Sequence, residues 1–191
     1  LNEGLLDCTE IILPRCLLNP HFPKDPKKSP PVVGGNVETS QKLVNLLLKP
    51  FAVVAASQGT MNNLIFGNDK CSYYETICGG TGAGPNFDGT DAVHSHMTNT
   101  AITDPEILEW RFPVRLEKFS IRKRSGGEGI FNGGNGVIRE LLFTEAVSLS
   151  LLTQNRNQGP YSLDGGSQGA PGEQYLIKKG GNKIKLESFT Q

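Results

Sequence analysis

Two histidines two positions apart, His94 and His96, close a run from Tyr73 to Thr100 whose residue types suit binding and catalysis. Ahead of them five glycines fall within eleven residues, at positions 79, 80, 82, 84 and 89. Glycine costs conformational entropy and is used where the backbone takes positive φ or approaches another group closely, so the run predicts a demanding loop. A phosphate cradle is the first chemistry to test. A Walker loop ends in Gly-Lys-Ser/Thr and enters a helix, whereas Gly84 is followed by Pro85, Asn86, Phe87, Asp88 and Gly89. A dinucleotide fingerprint needs a helix directly after its glycines to hold the pyrophosphate, and turn formers stand in that place. Neither fits, which leaves a turn-rich structural crossover or a substrate-facing loop.

In an extended segment the imidazoles of His94 and His96 point to one side, with Thr98 on the same face. Such a pair ligates zinc, manganese or iron when carboxylates join it, and Asp88, Asp91 and Glu75 are within the run. Hydrogen-bonded histidines in the wall of a site are the other reading of the same spacing. Asn99 extends the polar run and suits contact with an amide or a carboxylate.

These groups need elements to hold them. The run "GGNVETSQKLVNLLLKP" predicts a helix over 37–49, with Asn36 as N-cap, Glu38 in the first turn, and Leu43, Val44, Leu47 and Leu48 as an apolar stripe. Pro50 ends it. Its N-terminus, with Thr39 and Ser40 as nearby donors, suits an anion or carboxylate, although simple capping accounts for the same residues. The small apolar residues of "FAVVAASQGTMNN" suggest a second, buried helix over 51–63, at whose end Asn62 and Asn63 need partners. "LIFGNDKCSYYETI" reads as two strands about a Gly67-Asn68-Asp69 turn, the second of which carries Glu75 into the glycine loop.

Beyond the histidines, "TDPEILEW" opens a short helix: Asp104 can cap, Pro105 suits the first position, and Thr103 has capping-box spacing to Glu106. Leu108 and Trp110 are its expected anchors. After Pro113 the chain alternates as strands. Val114 and Leu116 share one parity while Phe119 and Ile121 take the other, which predicts a bulge near Glu117 and Lys118. Val137 to Phe143 and Val147 to Leu151 alternate on either side of a short turn and suggest a hairpin, and "QYLIKKGGNKIKLE" suggests another about Gly180 and Gly181.

The fold class expected is α+β: a mixed helix and strand part over 1–112, then a β-rich, sandwich- or barrel-like part over 113–191. Residues 5–18 read as a strand ending near Pro14. An exposed proline-rich linker lies at 19–31, where "NPHFPKDPKKSPP" carries five prolines and four charges, and His21 within it has no ligand neighbours.

With 191 residues the chain can bury a core. Its 19 basic and 19 acidic side chains give a formal net charge of zero, hence no general field for nucleic acid or an anionic membrane; the cluster Arg122, Lys123 and Arg124 reads as a solvated strand end. No apolar run is long enough for a bilayer span, and the start has no signal-peptide pattern. The four cysteines, at 8, 16, 71 and 78, match no zinc or redox spacing and read as free thiols in a reducing compartment. A start at Leu1 rather than methionine and a stop at Gln191 without a terminating element suggest an internal piece of something longer.

The motifs "GGNVETSQ", "ASQGTMNN", "YYETICGGTGAGP", "HSHMTNTAITDPEILE", "SGGEGIFNGGNGVIREL" and "PYSLDGG", in this order, resemble the hydantoinase B/5-oxoprolinase family over nearly the whole chain. The run from His94 to Glu109 is similar above all to the hydantoinase B-like part of long single-chain ATP-dependent members. The resemblance implies ATP-coupled opening of the lactam of 5-oxo-L-proline to L-glutamate in the γ-glutamyl, or glutathione, cycle, in the cytosol and within a homo-oligomer. A hydantoin-cleaving subunit segment and a non-catalytic scaffold segment are the alternatives. The resemblance also implies that ATP belongs to a hydantoinase A-like half earlier in the chain. It places the family's metal-binding His/Asp motif upstream as well, so no metal is carried over to His94 or His96, and neither ATP nor a divalent metal is expected to bind wholly within this segment. Candidate substrate-side residues are Asn36, Thr39, Ser40, Glu75, His94, His96 and Asn99. Where relatives usually carry an arginine in an "RFRGG"-like corner, this chain has Ile130, Phe131, Asn132, Gly133 and Gly134. It also stops before the family's glycine-rich tail, so the isolated piece is expected to be inactive.

Overall fold

The computed structural model describes residue 10, residues 12–15, 36–187 and 189–190. The expected linker at 19–31 with His21, nearly all of the strand expected within 5–18, and Cys8 and Cys16 lie outside the described residues. The chain divides into two compact units, Leu1–Gly34 and Gly35–Gln191, and the architecture that follows is that of the second.

Helix α1 spans Val37–Leu48 and starts where the sequence places it. Asn36 is extended, and its side chain accepts a hydrogen bond from the Thr39 N–H at 2.9 Å, satisfying one of the four amides that a helix start leaves open. Pro50 sits in a 3-10 turn, Lys49–Phe51, that closes on Ala52 in the left-handed region. Asn36→Ala is expected to cost about 1 kcal/mol, seen as a lower unfolding midpoint in the full-length protein, whereas Asn36→Ser should keep most of the cap.

The leucine stripe is not the most buried face of α1: Leu43, Val44 and Leu48 are half-buried and Leu47 is exposed, while the fully buried positions are Gln41 and Asn45. Glu38, Gln41 and Asn45, spaced three and four apart, share one face and meet donors and acceptors from two loops, so hydrogen bonding rather than apolar burial fixes how the helix is turned.

Residues 52–62 form no helix, contrary to the composition. They form an irregular segment with Ala52, Gly59 and Asn62 at positive φ, and its amides pair across to the glycine loop, Ala55 N–H to Ala83 O at 2.8 Å and Gln58 N–H to Gly80 O at 3.1 Å. Asn62 and Asn63 find the partners they need: Asn62 donates to Gln58 Oε1 at 3.0 Å, and Asn63 Oδ1 accepts from the Tyr74 hydroxyl at 2.9 Å.

Strands β1, Asn63–Asn68, and β2, Cys71–Thr76, make the expected hairpin, with Asn68 opposite Cys71. Helix α2, Pro105–Arg111, is capped by Asp104, which accepts from the Glu106 N–H at 2.9 Å. Leu108 anchors it with no exposed surface, but Trp110 is 78% exposed and anchors nothing within the described residues.

Strand β3, Val114–Arg122, pairs antiparallel with β4, Gly136–Phe143, and the register shifts between Leu116 and Lys118 as the parity change predicts. The expected β4–β5 hairpin does not form. Strand β5, Ser148–Leu152, leaves β4 and pairs with β1, giving a four-stranded sheet in the order β2-β1-β5-β8, where β8 is Phe189–Thr190. Alternation marks both segments as strands but cannot say which partner each will take. Strands β6, Tyr175–Ile177, and β7, Lys183–Lys185, form the last hairpin, with Gly180 and Gly181 at positive φ.

The mixed α+β fold is therefore present. Among the described residues its strands form one four-stranded sheet and two ribbons, not a closed barrel or a sandwich. The apolar core gathers Leu64, Phe66, Tyr73, Leu108, Val114 and Leu151. Phe66 lies at its centre, with ring centroids 4.9 Å from Tyr73 and 5.1 Å from Phe143, at spacings favourable for aromatic pairs.

Candidate functional site

The glycine loop is held by backbone on both sides. A Cβ on Gly82 would overlap the Ala55 carbonyl, and one on Gly80 would overlap the Gly134 carbonyl; close approach, not positive φ, is what these glycines supply. The loop's polar backbone is spent in the same contacts. Thr81 O accepts from the Gly134 N–H at 2.9 Å, Gly79 O from Val93 at 2.8 Å, and Asn132 O from the Gly89 N–H at 2.7 Å. Asp88 and Asp91 act as clasps on the second glycine-rich corner: Asp88 accepts from the Asn132 N–H at 2.5 Å, and Asp91 from the Asn135 N–H at 2.6 Å. Asn132 thus joins the two corners through its backbone, and its side chain accepts from the Gly129 N–H at 3.2 Å.

Glu75 is directed inward from β2 and meets Arg139 of β4. The two form a bidentate pair, Nε to Oε1 at 2.5 Å and Nη2 to Oε2 at 2.9 Å, and Tyr73 donates its hydroxyl to Oε2 at 2.8 Å. Their side chains are 5% and 4% exposed. The guanidinium also lies 5.2 Å from the centre of the Phe119 ring. Burial raises the Tyr73 phenol above its ordinary range.

The two histidines do not sit in an extended segment. His96 has φ +55° within a turn, which breaks the alternation, and the rings take different partners. His94 Nε2 lies 3.2 Å from the Thr100 hydroxyl, with Nδ1 buried and without a hydrogen-bond partner among the described residues. His96 Nε2 lies 2.9 Å from Asn45 Oδ1 on α1. Burial lowers both imidazoles below the ordinary histidine value, because a poorly solvated ring holds a proton less well.

His96 thereby joins the polar face of α1. Gln41 donates to the Thr98 hydroxyl at 2.8 Å and accepts from the Met97 N–H at 3.0 Å. Glu38 accepts from the Met61 N–H at 2.7 Å, and Ser57 N–H donates to Asn45 Oδ1 at 3.2 Å. Tyr161 donates to the Asn45 carbonyl at 2.6 Å. The result is a polar wall made by one helix face, the 57–62 segment and the 95–98 turn. Asn36, Thr39 and Ser40 lie at the start of the same helix but are engaged in its cap, Ser40 donating to the Asn36 carbonyl at 3.0 Å. Asn99 is exposed one residue past the turn, and Glu75 is tied into the separate pair with Arg139.

The sequence reading missed Gln41, Asn45, Arg139 and Arg156. The signal for the first two was their spacing, which with Glu38 sets three polar residues on one face of the helix. Arg156 joins three segments, donating to Asn62 Oδ1 at 2.9 Å, the Gln154 carbonyl at 2.7 Å and Gln174 Oε1 at 3.2 Å, and burial lowers its guanidinium to about 10.

Among the described residues no group of three or more His, Cys, Asp or Glu is placed to share a metal ion, and the carboxylates nearest in sequence to the histidines are engaged with Asn132, Asn135 and Arg139. Cys71 and Cys78 are free thiols, with burial raising that of Cys78. Among the described residues no helix is long and apolar enough to cross a membrane.

A profile of the family described as hydantoinase B/oxoprolinase matches residues 1–191. The chain is 48% identical over 189 residues to the 5-oxoprolinase of Dictyostelium discoideum, covering 98% of this chain and 14% of that protein. It is 47% identical over 186 residues to 5-oxoprolinase 1 of Arabidopsis thaliana, covering 97% and 14%. A subunit of a putative D-/L-hydantoinase from Pseudomonas sp. (strain NS671) is 27% identical over 181 residues, covering 90% and 29%. The chain thus spans about one seventh of the length of its more similar curated relatives.

Proposed function

The chain belongs to the hydantoinase B/oxoprolinase family, and from that premise we propose that it is one segment of an ATP-dependent 5-oxoprolinase, in which it forms a substrate-side wall. The observation that carries the role is the polar face of α1, where Gln41 and Asn45 hold the His96 turn in place of leucines packed on a core. The higher identity to proteins named 5-oxoprolinase than to the Pseudomonas hydantoinase protein favours the lactam over a hydantoin.

In this reading 5-oxo-L-proline is opened to L-glutamate in the cytosol, with ATP and a divalent metal held outside this segment by other parts of the chain, including a hydantoinase A-like half, in a homo-oligomer. ATP makes a poor amide electrophile reactive, and the wall's task is to hold the ring and manage a proton. The glycine loop supports the wall by holding the 55–58 segment through the Ala55 and Gln58 amides. Replacing His94 and His96 together by alanine in the full-length protein should reduce 5-oxoproline-dependent ATP hydrolysis with little change in unfolding midpoint. Unchanged turnover would instead favour a scaffold role for the segment.

A further inference from the structure

The tautomer of His96 is fixed by its surroundings. A backbone N–H only donates, so the Asn45 side-chain atom 3.2 Å from Ser57 N is the amide oxygen, and the amide cannot be turned over. That oxygen also lies 2.9 Å from His96 Nε2, so Nε2 carries the hydrogen and donates it. In the neutral ring the lone pair is then on Nδ1, and the His96 residue is exposed rather than sealed in the fold.

The ring is held by more than one bond. Gln41, one helical turn before Asn45, grips the backbone on the far side of the histidine by accepting from the Met97 N–H at 3.0 Å and donating to Thr98. Thr98 in turn donates to the Ser95 carbonyl at 3.0 Å, and Tyr161 pins the Asn45 carbonyl. Residue 96 itself is left-handed. A non-glycine residue in that region is strained and persists where its surroundings over-determine it, as at functional sites.

We propose that Asn45 is a positioning residue that locks His96 as the Nε2–H tautomer, so that Nδ1 is the proton acceptor of the substrate-side wall. The catalytic part of this assignment rests on the 5-oxoprolinase reading. As the water oxygen bonds to the activated lactam carbon, one water proton passes to Nδ1. The same proton passes to the ring nitrogen of the O-phosphorylated lactam as the carbon–nitrogen bond breaks, leaving the γ-acyl phosphate of glutamate, which a second water hydrolyses to L-glutamate and phosphate.

Among the described residues the side chain hydrogen-bonded to the His96 ring is the uncharged Asn45 of α1. Tyr161, which holds Asn45, stays neutral, with its phenol raised by burial, and Lys49 is engaged over the Tyr161 ring at 4.9 Å. His94, in the same segment, is itself lowered by burial. Burial thus stands as the cause of the lowered His96 imidazole. It keeps the base neutral to lower pH, so the acidic limb of kcat/KM should fall below the ordinary histidine range.

The test uses the full-length protein. His96→Gln should lower kcat about 10²–10⁴-fold with unchanged circular dichroism. Asn45→Asp places a carboxylate beside the ring, stabilises the imidazolium, and should move the acidic limb upward by about 1–3 pH units; a merely structural role would leave the limb in place. An unmoved limb, or a kcat retained in His96→Gln, overturns the proton-acceptor role. Nitrogen-15 spectra of the histidine-labelled, substrate-free protein should show His96 protonated at Nε2 and bare at Nδ1, and the reverse or mixed pattern overturns the lock. Absence of 5-oxoproline turnover in the unsubstituted protein would sink the functional reading alone, because the spectra decide the lock without substrate.

Discussion

Arg139→Ala is expected to destabilise the folded segment by about 3–5 kcal/mol, the cost typical of breaking a buried ion pair from one side. Both charges are almost wholly withdrawn from water, and removing the guanidinium leaves the Glu75 carboxylate with only the Tyr73 hydroxyl among its described partners. Loss of the cation above the Phe119 ring adds to the effect. Chemical denaturation of the full-length protein, followed by a probe on this segment, should show it. The double variant Arg139→Met with Glu75→Leu should recover much of the loss, since replacing both partners by apolar groups removes the uncompensated charge. A single variant as stable as the unsubstituted protein would show that the pair does not tie β2 to β4.

Gly82→Ala is expected to be the next most damaging change, at about 1–3 kcal/mol or more. The added methyl would occupy the position of the Ala55 carbonyl oxygen, and neither backbone can retreat without breaking the Ala55 N–H bond to the Ala83 carbonyl. The 55–58 segment contains Ser57, whose N–H orients Asn45 and through it His96, so turnover should fall together with stability. Equal protease resistance around residues 52–62 in the variant and the unsubstituted protein would count against this packing.

Local chemistry made much of this fold legible. Asn36 and Asp104 cap the helices they were expected to cap, the turn after Asn68 closes a hairpin, and the parity change on β3 becomes a bulge. What escaped the sequence depends on partners distant along the chain. Residues 52–62 have helix-like composition, but the glycine loop captures their amides. The leucines of α1 suggested the buried face, yet hydrogen bonds to residues 57, 61 and 96–98 turn the polar face inward. Strands β4 and β5 were recognisable as strands, while their separation into different sheets follows from the pairing of β5 with β1.

The candidate site shows the same division. His96 and the start of α1 stood out by residue type, whereas Asn45 and Gln41 acquire meaning only once the 95–98 turn is seen to rest on them. The glycine run was expected to be demanding, and it is, but the demand comes from backbone packed against backbone. Glu75 stood out as a polar residue in an aromatic strand. Its partner, Arg139, lies 64 positions away and could not be assigned from spacing.

The most direct test of the central claim is ADP release by the full-length protein supplied with 5-oxo-L-proline or with hydantoin. The account predicts release that depends on 5-oxo-L-proline, with formation of L-glutamate and a higher kcat/KM than with hydantoin. Release driven preferentially by hydantoin, or none with 5-oxo-L-proline, would contradict it.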